Sequence, residues 1–402
     1  MATAVAAVTR ESYGRLLALL AAPGRDIGAA EDALSEAFER ALTRWEVGGV
    51  PANPEAWLLT VARNRLRDLW KSSGYRLSAS LDESRWDAED LNVSGVSAIP
   101  DRRLELMLVC AHPAIAPSVR TPLMLQTVLG VDSAAIARAF AVEPAAMAQR
   151  LVRAKRRIRD AGIPFVVPQR EDLAVRLPAV LEAVYGAYAI DWQLVPDGAL
   201  IDSLSAEALH LALTVAQLLP GEPEALGLAA LVCLAEARRP ARLTADGCFV
   251  PLAEQDTTQW DLALIGRGEE LLTRAHRHGR PGRFQYEAAI QSAHCSGTSG
   301  GPVDPATVRM LYRALVLVAP TLGARVALAA LDGEIDGPLA GLRSLDGVDA
   351  ERFAPAVVVR ARLLAAAGRT VESAAAYRDA IGLTTDPAVA EYLTKCLREV
   401  NI

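Results

Sequence analysis

"DSAAIARAFAVEPAAMAQRLVRAKRRIRD", residues 132–160, decides the fold of the N-terminal half of this chain. Its first part predicts a short helix with Ile136 and Phe140 facing inward, followed by a turn at 141–143. Pro144 suits the first turn of a longer helix. The stretch therefore predicts a helix-turn-helix, a motif whose second helix enters the major groove of DNA.

The second helix of this motif has an apolar face and a basic face. Residues at steps of three and four predict the buried face, and they are Met147, Leu151, Ala154 and Ile158. On the exposed face, Gln can pair with adenine, and Arg with guanine or phosphate. A solvated helix end is the alternative, because cations favour the C-terminal end of any helix dipole. The candidate DNA-contacting residues are Ala145, Ala146, Gln149, Arg150, Arg153, Lys155, Arg156 and Arg157.

Charge divides the chain into two halves. The formal net charge is -6, yet residues 1–169 hold 21 Lys and Arg against 19 Asp and Glu, a net of +2. Residues 170–402 hold 21 against 29, a net of -8. The acidity therefore belongs to the C-terminal half, and the basic helix belongs to a nearly neutral half.

Composition indicates a cytoplasmic protein without cofactor, metal or membrane segment. No stretch approaches 18 consecutive apolar residues, and the N-terminus lacks the basic leader of a signal peptide. The five cysteines form no C-x-x-C pair, and neither Cys110 with His112 nor His294 with Cys295 has a second ligand pair for zinc. No Ser/His/Asp order or cofactor loop stands out, so the chain is not expected to be an enzyme.

Two helices are predicted over residues 9–45, the first ending at Pro23-Gly24 and the second capped by Asp26. The second has an acidic ridge opposite its apolar stripe. The stripe comprises Ala30, Ala33, Leu34, Ala37, Phe38, Ala41 and Leu42, and the ridge comprises Glu31, Asp32, Glu36 and Glu39.

A third helix is predicted to start at Pro54. Its expected inward residues are Trp57, Leu58, Val61, Leu66 and Leu69, with Arg63, Arg65, Arg67 and Lys71 elsewhere on its surface. Residues 74–100 lack helical periodicity and read as an acidic linker.

The C-terminal half is predicted to be a series of Ala- and Leu-rich helices separated by Pro, Gly and Asp. Residues 353–397 read as helix, turn at Gly368, helix, turn at Asp386-Pro387 and helix. This spacing suits tetratricopeptide-like helical hairpins. The run at 296–305 is expected to be a flexible loop.

These segments, in this order, resemble the extracytoplasmic-function (group IV) sigma-70 factors. "EDALSEAFERALTRW" with "NPEAWLLTVARNRLRDLWK" resembles their region two, and residues 120–165 resemble their region four. The helical extension resembles that of the group with a tetratricopeptide-like C-terminal part. The resemblance implies an all-α fold in four parts: region two (1–73), acidic linker (74–100), region four (101–168) and regulatory extension (169–402).

The resemblance also implies partners for particular residues. Asp32, Glu36 and Glu39 match the surface that docks on the β′ clamp helices of core RNA polymerase, and region four implies a contact with the β flap. The helix from Pro54 matches the segment that reads and opens the -10 promoter element, and residues 144–159 match the reader of the -35 element. The -10 candidates are Asn53, Asn64, Arg65, Arg67 and Lys71. The extension is expected to regulate this activity, either in cis by folding back on the chain or by binding a peptide or protein partner.

Two other functions fit parts of this pattern. A polymerase-independent helix-turn-helix regulator with a helical-repeat sensor would bind duplex DNA without core enzyme. A repeat scaffold with an inactive N-terminal half would neither bind DNA nor support transcription. Only transcription with core polymerase separates these functions.

Overall fold

A computed structural model of the chain describes residues 2–71, 101–140, 142–191, 198–296, 304–348 and 352–400. Every regular element within these ranges is a helix, and the strand-like pairing found there is an isolated bridge between Leu243 and Phe249. The predicted all-α fold class is confirmed. The chain divides into two compact units, Met1–Ala187 and Tyr188–Ile402.

The first unit contains the helices that carry the candidate site. They are α1 (Ala2–Gly24), α2 (Ile27–Gly48), α3 (Pro54–Lys71), α4 (Arg103–Cys110), α5 (Pro117–Thr127), α6 (Ser133–Ala139), α7 (Pro144–Asp160) and most of α8 (Arg170–Asp191).

Helices α1, α2 and α3 pack against one another as a three-helix group. The predicted start signals are confirmed: Asp26 caps α2 by accepting a hydrogen bond from the Ala29 amide at 3.1 Å, and α3 begins at Pro54. Small Ala side chains on α2 let its neighbours approach closely, and Ile27, Leu34 and Trp45 fill the remaining core.

One predicted core position in this group is wrong, and several others are only half-buried, whereas Leu58 and Leu66 are buried as predicted. Leu42 is 45% exposed, because it lies at the edge of the α2 stripe rather than within it. The buried line of α3 is rotated towards Leu59, Ala62 and Arg63, so Val61 is only half-buried. The long aliphatic stem of an arginine can lie against apolar neighbours, so the charge of Arg63 was a poor guide to its burial. Trp57 and Leu69 are half-buried as well.

Helices α4 to α7 form a second group, in which α5 packs on α4, α6 and α7. Gly130 follows α5 with φ of 65°, in the left-handed region that favours glycine. Asp132 caps α6 by accepting from the amides of Ala134 and Ala135. The expectation that Phe140 faces inward is wrong: it ends α6 and is 39% exposed.

Helix α8 places the boundary between the units later than residue 168. Its Arg176 side chain is buried and donates to the Leu108 carbonyl oxygen of α4, and Gly186 comes close to Thr121 of α5. Most of α8 therefore belongs to the first unit, although the acidic composition beyond residue 169 placed it with the extension.

The second unit begins within α8, and its described part contains ten further α-helices and three short 3-10 helices. The ten α-helices are α9 (Gly198–Leu218), α10 (Pro223–Glu236), α11 (Leu262–His276), α12 (Arg283–Cys295), α13 (Pro305–Val318), α14 (Leu322–Ile335), α15 (Pro338–Asp346), α16 (Ala354–Ala366), α17 (Thr370–Leu383) and α18 (Pro387–Val400).

Helix α10 is the centre of this unit's first half, with α9, α11 and α12 packed around it. A Cβ on Gly227 would lie 2.8 Å from the Gln285 amide nitrogen, so only glycine permits this close approach of α12. Glu224 of α10 accepts from the Phe284 amide at 2.9 Å, and its negative charge suits the start of α12.

The last three helices end and begin at the predicted turns. Gly368 has φ of 74° between α16 and α17, and α18 begins at Pro387. The buried Ser373 hydroxyl donates to the Ala361 carbonyl oxygen at 2.8 Å, which joins α17 to α16. The likeness to tetratricopeptide repeats stays a prediction.

No helix in the described part of the chain is both long and apolar enough to cross a bilayer. The predicted linker at 74–100 and most of the predicted loop at 296–305 lie outside the described residues.

Candidate nucleic-acid interface

Helix α7 is held in place by the apolar residues that the sequence predicts. Met147, Leu151, Ala154 and Ile158 are its buried residues. Glu143 caps its first turn, accepting a hydrogen bond from the Ala146 amide at 2.8 Å. The predicted inner face of α7 is confirmed.

The candidate DNA-contacting residues of α7 lie on three different faces. At about 100° per residue, Ala145, Gln149 and Arg156 point away from the buried stripe, and all three are exposed. Arg150, Arg153 and Arg157 lie along one edge, with Ala146 half-buried beside them. Lys155 lies on the opposite edge.

The arginine edge of α7 lines an open groove of about 420 Å³. The lining residues are Arg150, Arg153, Ala154 and Arg157 from α7, and Ala114, Ile115, Ala116, Ser118 and Val119 from the chain that enters α5. The N-terminal end of α5 adds the positive end of its helix dipole. Side-chain and backbone positive charge therefore converge on this groove, which suits an anionic oxygen such as that of a phosphate.

His112 lies next to this groove and adds no charge to it near neutral pH. Burial lowers the pKa of His112, and the neighbouring Arg176 lowers it further. Its Nδ1 atom accepts a hydrogen bond from the Ala114 amide at 3.1 Å, which needs the neutral ring.

Lys155 faces α2 instead of the exposed surface. Its Nζ atom lies 2.6 Å from both carboxylate oxygens of Glu31, and the side chains are 12% and 19% exposed. Burial raises the pKa of Glu31 although Lys155 lowers it, and burial and Glu31 raise the pKa of Tyr13. Desolvation therefore outweighs the ion pair, as is common for buried charges.

The five -10 candidates on and before α3 are all exposed, and they differ in their polar partners. Arg67 donates to the Asn64 side-chain oxygen at 3.1 Å, so these two candidates are partners of each other. Arg65 instead forms an ion pair with Glu36 at 2.7 Å. Asn53 caps the first turn of α3, accepting from the Ala56 amide at 3.0 Å.

The three predicted polymerase-binding acids are not equally available. Asp32 and Glu39 are exposed on α2. Glu36 is half-buried and bound to both Arg40 and Arg65. The acidic surface that α2 presents is therefore centred on Asp32 and Glu39.

Sequence reasoning missed the aromatic and glycine contacts behind these surfaces. Trp45 is buried and meets Trp57 edge to face, with ring centroids 5.5 Å apart. A Cβ on Gly14 of α1 would lie 1.9 Å from the Val128 carbonyl oxygen. The glycine in the middle of an otherwise helix-favouring segment was the available signal for this approach.

Two protein families match parts of the chain. Residues 10–76 match Sigma-70 region 2, which corresponds to α1–α3. Residues 176–276 match a family of unknown function (DUF6596), which starts within α8.

Two relatives show how far the similarity extends. An uncharacterized protein of Rhizobium meliloti is 34% identical over 379 residues, covering 92% of this chain and 89% of that protein. A probable ECF RNA polymerase sigma factor, SigI of Mycobacterium tuberculosis, is 30% identical over 142 residues, covering 34% of this chain and 48% of SigI. No solved structure matches the chain significantly.

Proposed function

This chain belongs to one family with the uncharacterized Rhizobium meliloti protein and is a member of the sigma-70 family, and we propose that it is a sigma factor of the extracytoplasmic-function type. It directs core RNA polymerase to particular promoters and starts transcription there. The observation that carries the proposal is the match of residues 10–76 to Sigma-70 region 2, which coincides with the α1–α3 group.

Each exposed surface then has one task. Asp32 and Glu39 of α2 attract the basic clamp helices of the β′ subunit, and α4–α7 contact the β flap. Asn64, Arg67 and Lys71 of α3 bind the -10 strand as it opens, because opening needs phosphate neutralisation and capture of the unpaired bases.

Helix α7 reads the -35 element with a division of labour. Gln149 and Arg156 face outward and meet base edges in the major groove. Arg150, Arg153 and Arg157 line the groove beside α5 and bind the DNA backbone, which positions the helix without reading sequence.

The helical extension regulates this activity by binding a peptide or protein partner. Two observations support this regulatory role: the net charge of -8 over residues 170–402 and the succession of helical hairpins in the second unit. Such hairpins present extended surfaces that suit peptides. The family of unknown function that matches residues 176–276 gives no indication of the partner.

Run-off transcription with purified core polymerase and the DNA upstream of the chain's own gene tests the proposal. We expect initiation at one start site with core enzyme and this chain together, and none with either alone. A chain that binds duplex DNA alone and never supports initiation would instead be a polymerase-independent regulator.

Matched variants test the function proposed for each surface. Arg150→Ala with Arg153→Ala should abolish -35-dependent initiation and leave core binding intact, whereas Arg170→Ala at an exposed site on α8 should change neither. Asp32→Lys with Glu39→Lys should weaken core binding at low salt, and Glu171→Lys on α8 is a charge-reversal control away from this surface.

A further inference from the structure

Three arginines lie close together at the C-terminal end of α10 in the second unit. They are Arg238, Arg239 and Arg242, and Arg238 is 9% exposed whereas the other two are half-buried. Charged side chains are rarely this buried unless a partner neutralises them, because removing a charge from water costs free energy. The partners of these arginines therefore decide what the segment can bind.

Arg238 contacts only uncharged groups within the described part of the chain. Its Nε atom donates to the Leu234 carbonyl oxygen at 3.4 Å, and its Nη2 atom donates to the side-chain oxygen of Gln291 on α12. Its Cζ atom lies 5.9 Å from the ring centroid of Trp260. None of these groups carries a negative charge, so the structure buries a positive charge here without a counterion among the residues it describes.

The other two arginines add positive charge to the same place. Arg239 forms an ion pair with Glu236 at 3.0 Å. Burial lowers the pKa of Arg242 to about 10, from an ordinary value of 12.5, and the charges of Arg239 and Arg238 contribute to this lowering. Asp386, just before α18, acts in the opposite direction and is a smaller influence. An anion bound beside these arginines would favour their charged form.

Uncharged aromatic side chains lie around Arg238. Tyr188 of α8 and Tyr312 of α13 are near enough to interact electrostatically with it, and both phenols are neutral at pH 7. Trp260 is 6% exposed, and its buried Nε1 atom has no hydrogen-bond partner among the described residues. Because an unpaired buried donor is costly, the surroundings of Arg238 lack an acceptor as well as a negative charge.

Solvent can reach the edge of this cluster. Gln291, His294 and Tyr312 are half-buried, like Arg242. Burial, and next Arg238, lower the pKa of His294 to about 4, so its ring is neutral at pH 7 and adds no positive charge. A ligand of Arg238 must be small, because Arg238 itself is almost fully enclosed.

We propose that Arg238 is the centre of a binding site for a small organic carboxylate. A carboxylate matches the planar guanidinium and supplies both the missing negative charge and the missing acceptor. One buried charge without a counterion calls for a monoanion, and the aromatic neighbours Tyr188, Trp260 and Tyr312 favour an aromatic acid.

The site lies within the second unit, and its occupancy requires neither DNA nor core polymerase. The inference therefore goes beyond the proposed function. If that function is right, the carboxylate is a signal that the helical extension senses.

Isothermal titration calorimetry of the full-length chain with benzoate tests the proposal, with benzamide as an uncharged compound of the same shape. We expect benzoate to bind at one site and benzamide not to bind, because only the anion can pair with Arg238. Inorganic phosphate and an acetylated tetra-alanine peptide, with a free or an amidated C-terminus, are titrated in the same way, and we expect both to bind more weakly than benzoate.

Variants locate the bound carboxylate. Arg238→Lys keeps the charge but loses the planar pair of donors, and it should weaken benzoate binding at least about tenfold. Arg242→Gln removes a half-buried positive charge and should weaken binding about threefold to tenfold. Arg277→Gln removes an exposed charge just beyond α11 and should change nothing. If circular dichroism shows that Arg238→Lys unfolds the chain, Arg242→Gln and Trp260→Phe decide the outcome, since Trp260→Phe removes the Nε1 donor.

Several results would overturn the proposal. These are no binding of benzoate, equal binding of benzoate and benzamide, or an unchanged affinity for benzoate in the folded variants of the site. Tighter binding of phosphate would overturn the assignment to a carboxylate, and tighter binding of the free-ended peptide would show a site for a peptide terminus instead. A chain that binds benzoate but never initiates transcription with saturating core polymerase would retain the site and overturn the proposed function alone.

Discussion

Single residues show which structural features the local sequence pattern predicts and which it does not. The buried residues of α7 were predictable because a helix repeats its inner face every three or four residues. The partner of Lys155 was not, since Glu31 lies 124 residues earlier in the chain. The reason for a glycine at position 14 was equally hidden, because it depends on a carbonyl group of a distant helix.

His294 makes the second unit sensitive to acid. Burial and the nearby Arg238 lower the pKa of His294 to about 4, from an ordinary value of 6.5. The unfolded chain therefore takes up a proton between pH 6.5 and 4 that the folded chain refuses, and stability falls as the pH falls through this window.

We expect a loss of roughly 2 kcal/mol in the free energy of unfolding across that window, allowing for partial exposure of the ring. Thermal unfolding measured from pH 7 to pH 4 checks this. His294→Gln should flatten the profile, and His278→Gln, at an exposed site in the same unit, is the matched control. An equally steep profile in His294→Gln would contradict the prediction.

At the scale of elements, helix ends were predictable and helix orientations were not. Asp26, Pro54 and Gly130 each lie where the sequence predicts a start or an end, because capping depends on neighbouring residues. The rotation of α3 that buries Arg63 depends instead on what packs against it. Similarly, the helical period separates the three faces of α7, but the sequence does not show that α2 lies beside Lys155 or that the start of α5 lies beside Arg153.

The inner face of α7 should contribute strongly to stability. Met147 is 1% exposed, so Met147→Ala leaves a cavity and should lower the free energy of unfolding by about 2–4 kcal/mol. Val152 lies on the same helix at 47% exposure, and Val152→Ala should cost less than about 0.5 kcal/mol. Urea unfolding of both variants gives the comparison, and equal losses would contradict the assignment of faces.

The outer faces of α7 should differ in the salt dependence of promoter binding by the assembled polymerase. On the proposed division of labour Arg153 binds a phosphate, so Arg153→Ala should reduce the slope of log K against log salt by about 1. Gln149→Ala should leave the slope unchanged and reduce discrimination between -35 sequences. The division of labour would be wrong if Gln149→Ala changed the slope and Arg153→Ala did not.

At the scale of the whole molecule, fold class and helix order were predictable. The composition, however, did not predict where the first unit ends. The charge changes near residue 169, whereas the first unit ends at Ala187. Charge describes the surface of a helix, and the unit boundary depends on the buried face of α8, where Leu177 and Val180 are 5% and 0% exposed.

Truncation should distinguish these two boundaries. A chain ending at residue 191 keeps all of α8, whereas one ending at 168 loses the helix that packs on α4 and α5. We expect the shorter chain to unfold about 10 °C lower, because several buried apolar side chains are lost. Calorimetry of the two truncated chains checks this, and equal unfolding temperatures would place α8 outside the first unit.

The position of α8 also bears on how the chain should be divided for recombinant expression. Almost all of α8 belongs to the first unit, and its buried face includes Leu177 and Val180. A fragment of the first unit made for crystallisation should therefore end at or after Asp191, because one that ends where the charge changes would expose apolar surface on the remaining helices.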